Sequence, residues 1–158
     1  MDQCTRRIVG FAVHRDVVDG VGLCRMFNRA TRGQSWPKYL SSDHDPRYRF
    51  RQWQANLRIL DVREIKTVPH VPLSHPFVER LIGTIRRECL DRTLFWTAAD
   101  LEMKLLDFQR YYNGHRTHAG LNGRTPEPST DTGCARASVS SYGWQPHCRG
   151  LYQTPMAA

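Results

Sequence analysis

Two acidic residues stand at positions from which a carboxylate can act on a ligand. Asp43 directly follows a predicted strand, 38–42, and side chains at the strand ends of α/β proteins often meet ligands. Glu79 falls in the first turn of a predicted helix, on a stripe with Gly83 and Arg86 at the border of the apolar face. The alternative is structural, because Glu79 could simply stabilise the helix N-terminus and Asp43 could cap a turn. The residues alone leave both interpretations open.

The elements that must position these residues are predicted from the spacing of apolar side chains. Continuous or alternating apolar residues predict strands, whereas apolar residues three or four apart predict helices. Phe50 and Trp53 fall on the core side of their helix, so we do not expect them to stack on bases. The alternation of elements predicts an α/β fold. We expect strands at 6–15, 38–42 and 64–68, and helices at 21–33, 46–60, 76–90 and 97–114.

Two stretches resist regular structure. The segment 69–74 contains two prolines and is followed by a third, which predicts a loop that is the least ordered part of the core. Beyond Gly123 the chain is rich in Pro, Ser, Thr and Gly, which predicts a loosely structured tail. We therefore divide the chain into a core domain, 1–128, and a C-terminal tail, 129–158.

A basic excess predicts a polyanionic partner. Twenty-three Lys and Arg residues against fifteen Asp and Glu residues give a net charge of +8, and nucleic acid is the leading polyanion. Residues 1–96 hold 17 basic and 10 acidic side chains and so contain nearly all of the excess. Arg47, Arg51 and Arg58 share one stripe of a predicted helix, where they either contact DNA phosphates or are simply solvated.

The composition also excludes several classes of protein. The longest apolar run, Ile8 to Val13, is too short to span a bilayer, and no apolar signal segment follows Met1. We therefore expect an intracellular protein without membrane contact, associated with the nucleoid when bound to DNA. Five cysteines without a CxxC pair predict reduced thiols instead of a disulfide framework or a zinc ribbon.

Three motifs follow one another in a fixed order. Asp43 lies in Ser42-Asp43-His44-Asp45-Pro46, and 35 residues separate it from Glu79 in Pro76-Phe77-Val78-Glu79. The third motif is Tyr111-Tyr112-Asn113-Gly114-His115-Arg116-Thr117-His118, followed by Thr125-Pro126. Together they resemble the retroviral-integrase-like catalytic core of insertion-sequence transposases, which carries an Asp-Asp-Glu (DDE) set of acids, the last two separated in this manner, and a similar closing element. The resemblance covers roughly residues 5–128, and three ordered motifs are more specific than any one of them.

The resemblance implies a ribonuclease-H-like fold and the transfer of DNA strands in transposition or integration. Carboxylates of this family hold two Mg²⁺ or Mn²⁺ ions, and Asp43 and Glu79 would be two of the ligands. Arg86 occupies the place of a basic residue directed at DNA phosphate, and Arg87 could substitute for it. The implied partners are DNA and either further copies of this chain or intact transposase subunits.

The sequence departs from the family pattern at the first catalytic Asp. The first catalytic Asp of the family lies on a strand that precedes the segment resembling 6–15, and Asp2 matches an acid that is not a ligand. We therefore expect an incomplete core that lacks the first two strands, binds metal poorly, and is inactive and marginally folded alone. One alternative is a non-catalytic DNA-binding or dimerisation remnant that modulates an intact transposase. Another is an unrelated basic module that binds nucleic acid.

Overall fold

A computed structural model describes residues 1–68, 76–127 and 142–157. The chain divides into two units, one formed by Val9–Glu102 and one by Met1–Ile8 together with Met103–Ala158. The helices are α1 (Gly20–Ala30), α2 (Arg51–Ile59), α3 (Pro76–Glu88) and α4 (Ala98–Gly114). The strands are β1 (Tyr39–Ser42), β2 (Arg63–Lys66), β3 (Tyr142–His147) and β4 (Tyr152–Ala157). Single 3-10 turns lie at Pro46–Arg49, Leu90–Arg92, Ala119–Leu121 and Cys148–Gly150.

In the unit Val9–Glu102, β1 and β2 form a parallel pair. The register runs from Tyr39 opposite Arg63 to Ser42 opposite Lys66, and α2 lies in the crossover between the strands. A parallel pair needs such a crossover, so the strand-helix-strand order that the apolar spacing predicted is confirmed here. The carboxyl ends of both strands, which follow Ser42 and Lys66, therefore lie at the same edge.

The core beside this pair is built from the helical stripes that the sequence predicted. Trp53, Leu57 and Val62 are buried, and Phe27 of α1 meets Trp53 edge-on with ring centroids 5.2 Å apart. Trp53 is 1% exposed, so the prediction that it serves the core and not base stacking is confirmed. Partly buried apolar side chains complete the cluster: Leu23, Cys24, Leu40, Tyr48, Phe50 and Leu60.

The predicted strand at 6–15 is wrong, because the described structure shows no strand before β1. At Val9 a side chain supplies a hydrogen bond that a neighbouring strand would otherwise give. Within its unit, the carbonyl oxygen of Val9 accepts a hydrogen bond from Nε2 of Gln34 at 3.0 Å. An apolar run with satisfied backbone groups can be buried without pairing to another strand.

In the other unit, the last turns of α4 support a hairpin. Leu105, Phe108 and Tyr112 are buried, as their spacing predicted. The strands β3 and β4 pair antiparallel, and the ring of Tyr152 stacks on that of Tyr111 with centroids 4.3 Å apart. The expectation of a loosely structured tail is thus wrong for residues 142–157, because cross-strand pairing and aromatic stacking order them.

The predicted loop at 69–74 lies outside the described residues. Across residues 1–68, 76–127 and 142–157, every helix is too short or too polar to cross a lipid bilayer.

Candidate functional site

Asp43 lies one residue beyond the end of β1, at the carboxyl edge of the parallel pair. Its side chain is exposed, and its Oδ1 accepts a hydrogen bond from the backbone N–H of Asp45 at 2.9 Å. Asp43 therefore caps a turn, as the structural interpretation expected, while its carboxylate still faces solvent at a strand end. Capping fixes the direction of the carboxylate and does not exclude a ligand.

Behind Asp43 lies a polar network centred on Glu64 of β2. Oε1 of Glu64 accepts hydrogen bonds from the Ser42 hydroxyl at 2.6 Å and from the Lys66 ammonium at 2.7 Å. Its Oε2 accepts one from Nε2 of Gln54 at 2.9 Å. The Glu64 side chain is only 10% exposed. Burial acts to raise the pKa of Glu64, but the donors Lys66, Ser42 and Gln54 outweigh it, so the pKa lies below its ordinary value.

Lys66 links this network to the backbone of Asp43. Its Nζ lies 3.2 Å from the hydroxyl oxygen of Ser42 and 3.5 Å from the carbonyl oxygen of Asp43. The same ammonium lies 5.1 Å from the ring centroid of Tyr48, within the range of a cation–π contact. One side chain thus spans β2, the end of β1 and the turn that follows it.

Glu64 and Lys66 were not among the predicted site residues, although the sequence carries a signal for them. The two residues are two positions apart on a predicted strand, so their side chains lie on the same face, and their charges are opposite. Because β1 and β2 are parallel and Ser42 lies opposite Lys66, that face at its carboxyl end also holds Ser42, which directly precedes Asp43.

Glu79 lies in the first turn of α3 and is exposed. A carboxylate there is favoured by the partial positive charge of the helix N-terminus. Gly83, one turn later, is covered by the guanidinium of Arg87, whose Nη1 would lie 3.0 Å from a Cβ at that position. The space above Gly83 is therefore filled by Arg87. Arg86, in the last turn, is exposed to solvent.

The other acids near the two ends of the motif are engaged locally. Asp2 closes a turn, because its carboxylate accepts hydrogen bonds from the backbone N–H of Cys4 and the hydroxyl of Thr5. Asp45 forms a two-point ion pair with Arg47, at 2.9 and 2.6 Å, which lowers the pKa of Asp45 to about 2.

Asp43 and Glu79 offer the donor chemistry that Mg²⁺ requires, since both side chains are exposed carboxylates and their oxygen atoms are hard ligands. Within residues 1–68, 76–127 and 142–157 there is no group of three or more His, Cys, Asp or Glu side chains placed to hold a metal ion. The donor type thus fits a magnesium site, and the described residues provide fewer than three clustered ligands.

The predicted basic stripe is present on α2 and the turn before it. Arg51 and Arg58 are exposed on α2, and Nε of Arg58 donates to the carbonyl oxygen of Gln54 at 3.3 Å. Arg47 is also exposed, but its guanidinium is held by Asp45. The stripe therefore combines one paired arginine with two that project to solvent.

The pattern of elements and motifs is matched by known proteins. Residues 60–126, which contain β2, α3 and α4, match the family described as "Integrase core domain". The resemblance to an integrase catalytic core is thus confirmed. Glu79, Arg86 and Arg87 lie inside the matched segment, whereas Asp43 lies before it.

Proteins similar to this chain occur in bacterial insertion elements. The chain is 27% identical over 126 residues to an uncharacterized 39.2 kDa protein of insertion element IS476 from Xanthomonas euvesicatoria, covering 80% of this chain and 36% of that protein. It is 24% identical over 131 residues to a transposase for insertion sequence element IS904 from Lactococcus lactis, covering 80% of this chain and 51% of the relative. The chain therefore spans between about a third and a half of these relatives.

A solved structure supports the same fold. The cryo-EM structure of a simian T-cell lymphotropic virus intasome, in complex with the PP2A regulatory subunit B56 gamma, matches with a TM-score of 0.60. The match covers 90% of this chain and 55% of the viral chain at 17% identity. The predicted α/β, ribonuclease-H-like class of fold is confirmed by this likeness and by the integrase core match.

Proposed function

We propose that this chain acts on DNA as part of the catalytic core of a DDE-type transposase or integrase. The observation that carries the proposal is the placement of two exposed carboxylates. Asp43 follows a strand at the carboxyl edge of a parallel pair, and Glu79 opens α3 within the segment that matches the integrase core. Strand ends of α/β folds are where such proteins place ligands.

In this proposal Asp43 and Glu79 are ligands of Mg²⁺ or Mn²⁺, and their carboxylates approach one another. When bound, paired metal ions activate water or a 3′-hydroxyl and stabilise the leaving oxygen in phosphoryl transfer. The two side chains supply negative charge and hard oxygen donors, and the Asp43–Asp45 hydrogen bond holds one of them in a fixed direction.

The DNA itself would be held by arginines. Arg86 and Arg87 lie in the last turn of α3, and Arg51 and Arg58 lie on α2, all exposed. Guanidinium groups suit phosphate because they donate two parallel hydrogen bonds. No base-reading motif was found in the sequence, so binding should be salt-sensitive and weakly selective for sequence. We further propose that the chain works in an assembly, with its own copies or with intact transposase.

The metal sites are tested on the full chain by adding Mn²⁺, whose unpaired electrons broaden nearby NMR signals. We expect broadening of the Asp43 and Glu79 signals, lost in both Asp43→Asn and Glu79→Gln. The matched control is Asp61→Asn, because Asp61 is an exposed acid with φ 53°, a conformation that Asn tolerates. Broadening that survives both substitutions would contradict the assignment.

The alternative of a non-catalytic remnant gives a different result in the same samples. Such a remnant would bind DNA and associate with an intact transposase, yet show no Mn²⁺ effect at Asp43 or Glu79. Strand cleavage in Mg²⁺ that is abolished by Asp43→Asn would exclude it.

A further inference from the structure

The residues around Asp43 are tied to β2 on both sides of that carboxylate. Ser42, which precedes Asp43, is 4% exposed, and its hydroxyl donates to Glu64. His44, which follows Asp43, places Nε2 2.6 Å from the carbonyl oxygen of Thr67, just beyond β2. The backbone N–H of Thr67 in turn donates to the carbonyl oxygen of Ser42 at 3.0 Å. Asp43 thus lies between two residues that are bonded to β2 or to Thr67, the residue directly after it.

Between these anchors, Lys66 bridges the side-chain and backbone groups. Its ammonium contacts Glu64, Ser42 and the carbonyl oxygen of Asp43 at 2.7, 3.2 and 3.5 Å. Its side chain is 35% exposed and that of Glu64 is 10% exposed, so the pair is partly shielded from water. An ion pair between such groups is less screened than one on an open surface. A second helix joins the arrangement, since Gln54 of α2 donates to Glu64.

We infer that Ser42, Glu64 and Lys66 form a strand-end clamp that positions Asp43, with Lys66 and Glu64 as positioning residues for the reaction. This inference rests on the proposed function of Asp43 as a metal ligand. A surface ion pair on a four-residue strand needs neither a buried hydroxyl nor a contact to the next backbone carbonyl. Here these partners surround the end of β1, directly before Asp43, which is one of the two acids that the family motif assigns to chemistry. Groups that orient a metal ligand in this way commonly change metal affinity by about 10- to 100-fold when removed.

The first experiment measures the order of the Asp43 backbone without any metal. Order parameters for the Asp43 amide are determined by ¹⁵N relaxation in the unaltered chain and in Lys66→Met, Lys66→Arg and Lys38→Met. We expect a rigid value, about 0.85, to fall below about 0.6 in Lys66→Met only. Lys66→Arg keeps the charge and the donors, so it should retain order. Lys38→Met makes the same change at the exposed start of the strand pair and serves as the matched control.

A double variant guards against loss of folding. Lys66→Met leaves the Glu64 carboxylate partly buried without its cation, whereas Glu64→Gln with Lys66→Met removes the charges together. The double variant should also lose order at Asp43 while its unfolding midpoint stays near that of Lys38→Met. Unchanged order at Asp43 in both variants would overturn the clamp. Global unfolding of both would overturn it as well, since the clamp is a local device.

The second readout is the change in Mn²⁺ affinity when Lys66 is replaced. Its direction differs between a lysine that positions Asp43 and a lysine that only carries a nearby charge. A lysine that merely sits near a cation site repels the cation, so its removal should tighten Mn²⁺ binding. Removal of a positioning lysine should weaken Mn²⁺ binding, here by about tenfold or more. Tighter binding in Lys66→Met would overturn the inference. Absence of any Mn²⁺ effect in the unaltered chain would instead overturn the proposed function and leave the order parameters to decide on the clamp.

Discussion

Asn113 binds the backbone of Ile8 at both of its polar groups. The amide oxygen of Asn113 accepts a hydrogen bond from the N–H of Ile8 at 2.9 Å, and its amide nitrogen donates to the carbonyl oxygen of Ile8 at 3.0 Å. Nε2 of Gln109, one turn earlier on α4, donates to the same carbonyl at 2.9 Å. Two side chains of a helix therefore do for Ile8 what a neighbouring strand would do in a sheet. This explains how Ile8 is buried without belonging to a strand.

Replacing Asn113 by Asp should destabilise the fold by about 1–3 kcal/mol. The substitution keeps the acceptor but removes the donor, and it places a carboxylate against the carbonyl oxygen of Ile8 in a site where Asn113 is 4% exposed. Urea denaturation followed by circular dichroism measures the change. Asn122→Asp is the control, because Asn122 is exposed at φ 56°, which Asp also tolerates. Equal stability of the two variants would show that the contact to Ile8 carries no weight.

Gly10→Ala should destabilise the unit Val9–Glu102 by at least about 1–3 kcal/mol. A Cβ at position 10 would lie 2.8 Å from the carbonyl carbon of Ala30 and would overlap its oxygen. The clash is with backbone at the end of α1, so a side-chain rotation cannot relieve it. Thermal unfolding of the variant should begin at lower temperature.

Gly114→Ala separates the steric effect from the loss of a glycine. Gly114 lies in the last turn of α4, and a Cβ there would meet nothing within 4 Å. Alanine is favoured over glycine in a helix by about 0.5–1 kcal/mol. Gly114→Ala should therefore be neutral or stabilising, and a similar loss in both variants would contradict the steric explanation.

The sequence predicted those elements whose side chains follow a single period. On α2, Trp53 and Leu57 are four residues apart, and on α1 Phe27 is four residues after Leu23. All four side chains belong to the core cluster that this spacing requires. Val9 and Phe11 alternate as a strand would, but periodicity reports only that a segment is extended and buried. It does not reveal whether a strand or a side chain, such as that of Gln34 at the carbonyl oxygen of Val9, satisfies the backbone.

The candidate site was predictable in part for the same reason. The positions of Asp43 and Glu79 follow from motif spacing along the chain. The partners of Asp43 do not, because Glu64 and Lys66 reach it only through the parallel register of β1 and β2. That register depends on the packing of α2 and is not written in the spacing of any one segment.

The contact of the hairpin with α4 should weaken as the pH falls below neutrality. His147 of β3 lies with its ring centroid 3.9 Å from that of His115, and its Nε2 is 2.8 Å from the hydroxyl oxygen of Thr154. Burial, and then the charge of His115, lower the pKa of His147 from its ordinary value of 6.5. The unfolded state then binds more protons, so stability is fully present above about pH 6.5 and is lost as the pH falls towards the folded-state pKa.

This pH dependence is measured from the chemical shifts of the Tyr152 ring between pH 8 and pH 5, where the stack on Tyr111 reports hairpin contact. His147→Gln should flatten the profile. A profile that is unchanged in this variant would assign the pH dependence to another group.

DNA binding should depend more on Arg51 than on Arg47, although both are exposed on the same stripe. The guanidinium of Arg47 already makes two hydrogen bonds to Asp45, and a phosphate must compete with that carboxylate. Arg51 and Arg58 project from α2 without such an acidic partner among the described residues.

Removing a phosphate contact reduces the dependence of log K on log salt by about one unit, and removing a paired arginine should reduce it less. Binding of a short duplex by each Arg→Ala variant, followed by fluorescence anisotropy at several salt concentrations, measures both slopes. The double variant Arg86→Ala with Arg87→Ala should weaken binding further than Arg149→Ala, since Arg149 lies near Asp107 in the hairpin unit. Equal slopes for Arg47→Ala and Arg51→Ala, or binding that does not change with salt, would show that the stripe on α2 is only a solvated face.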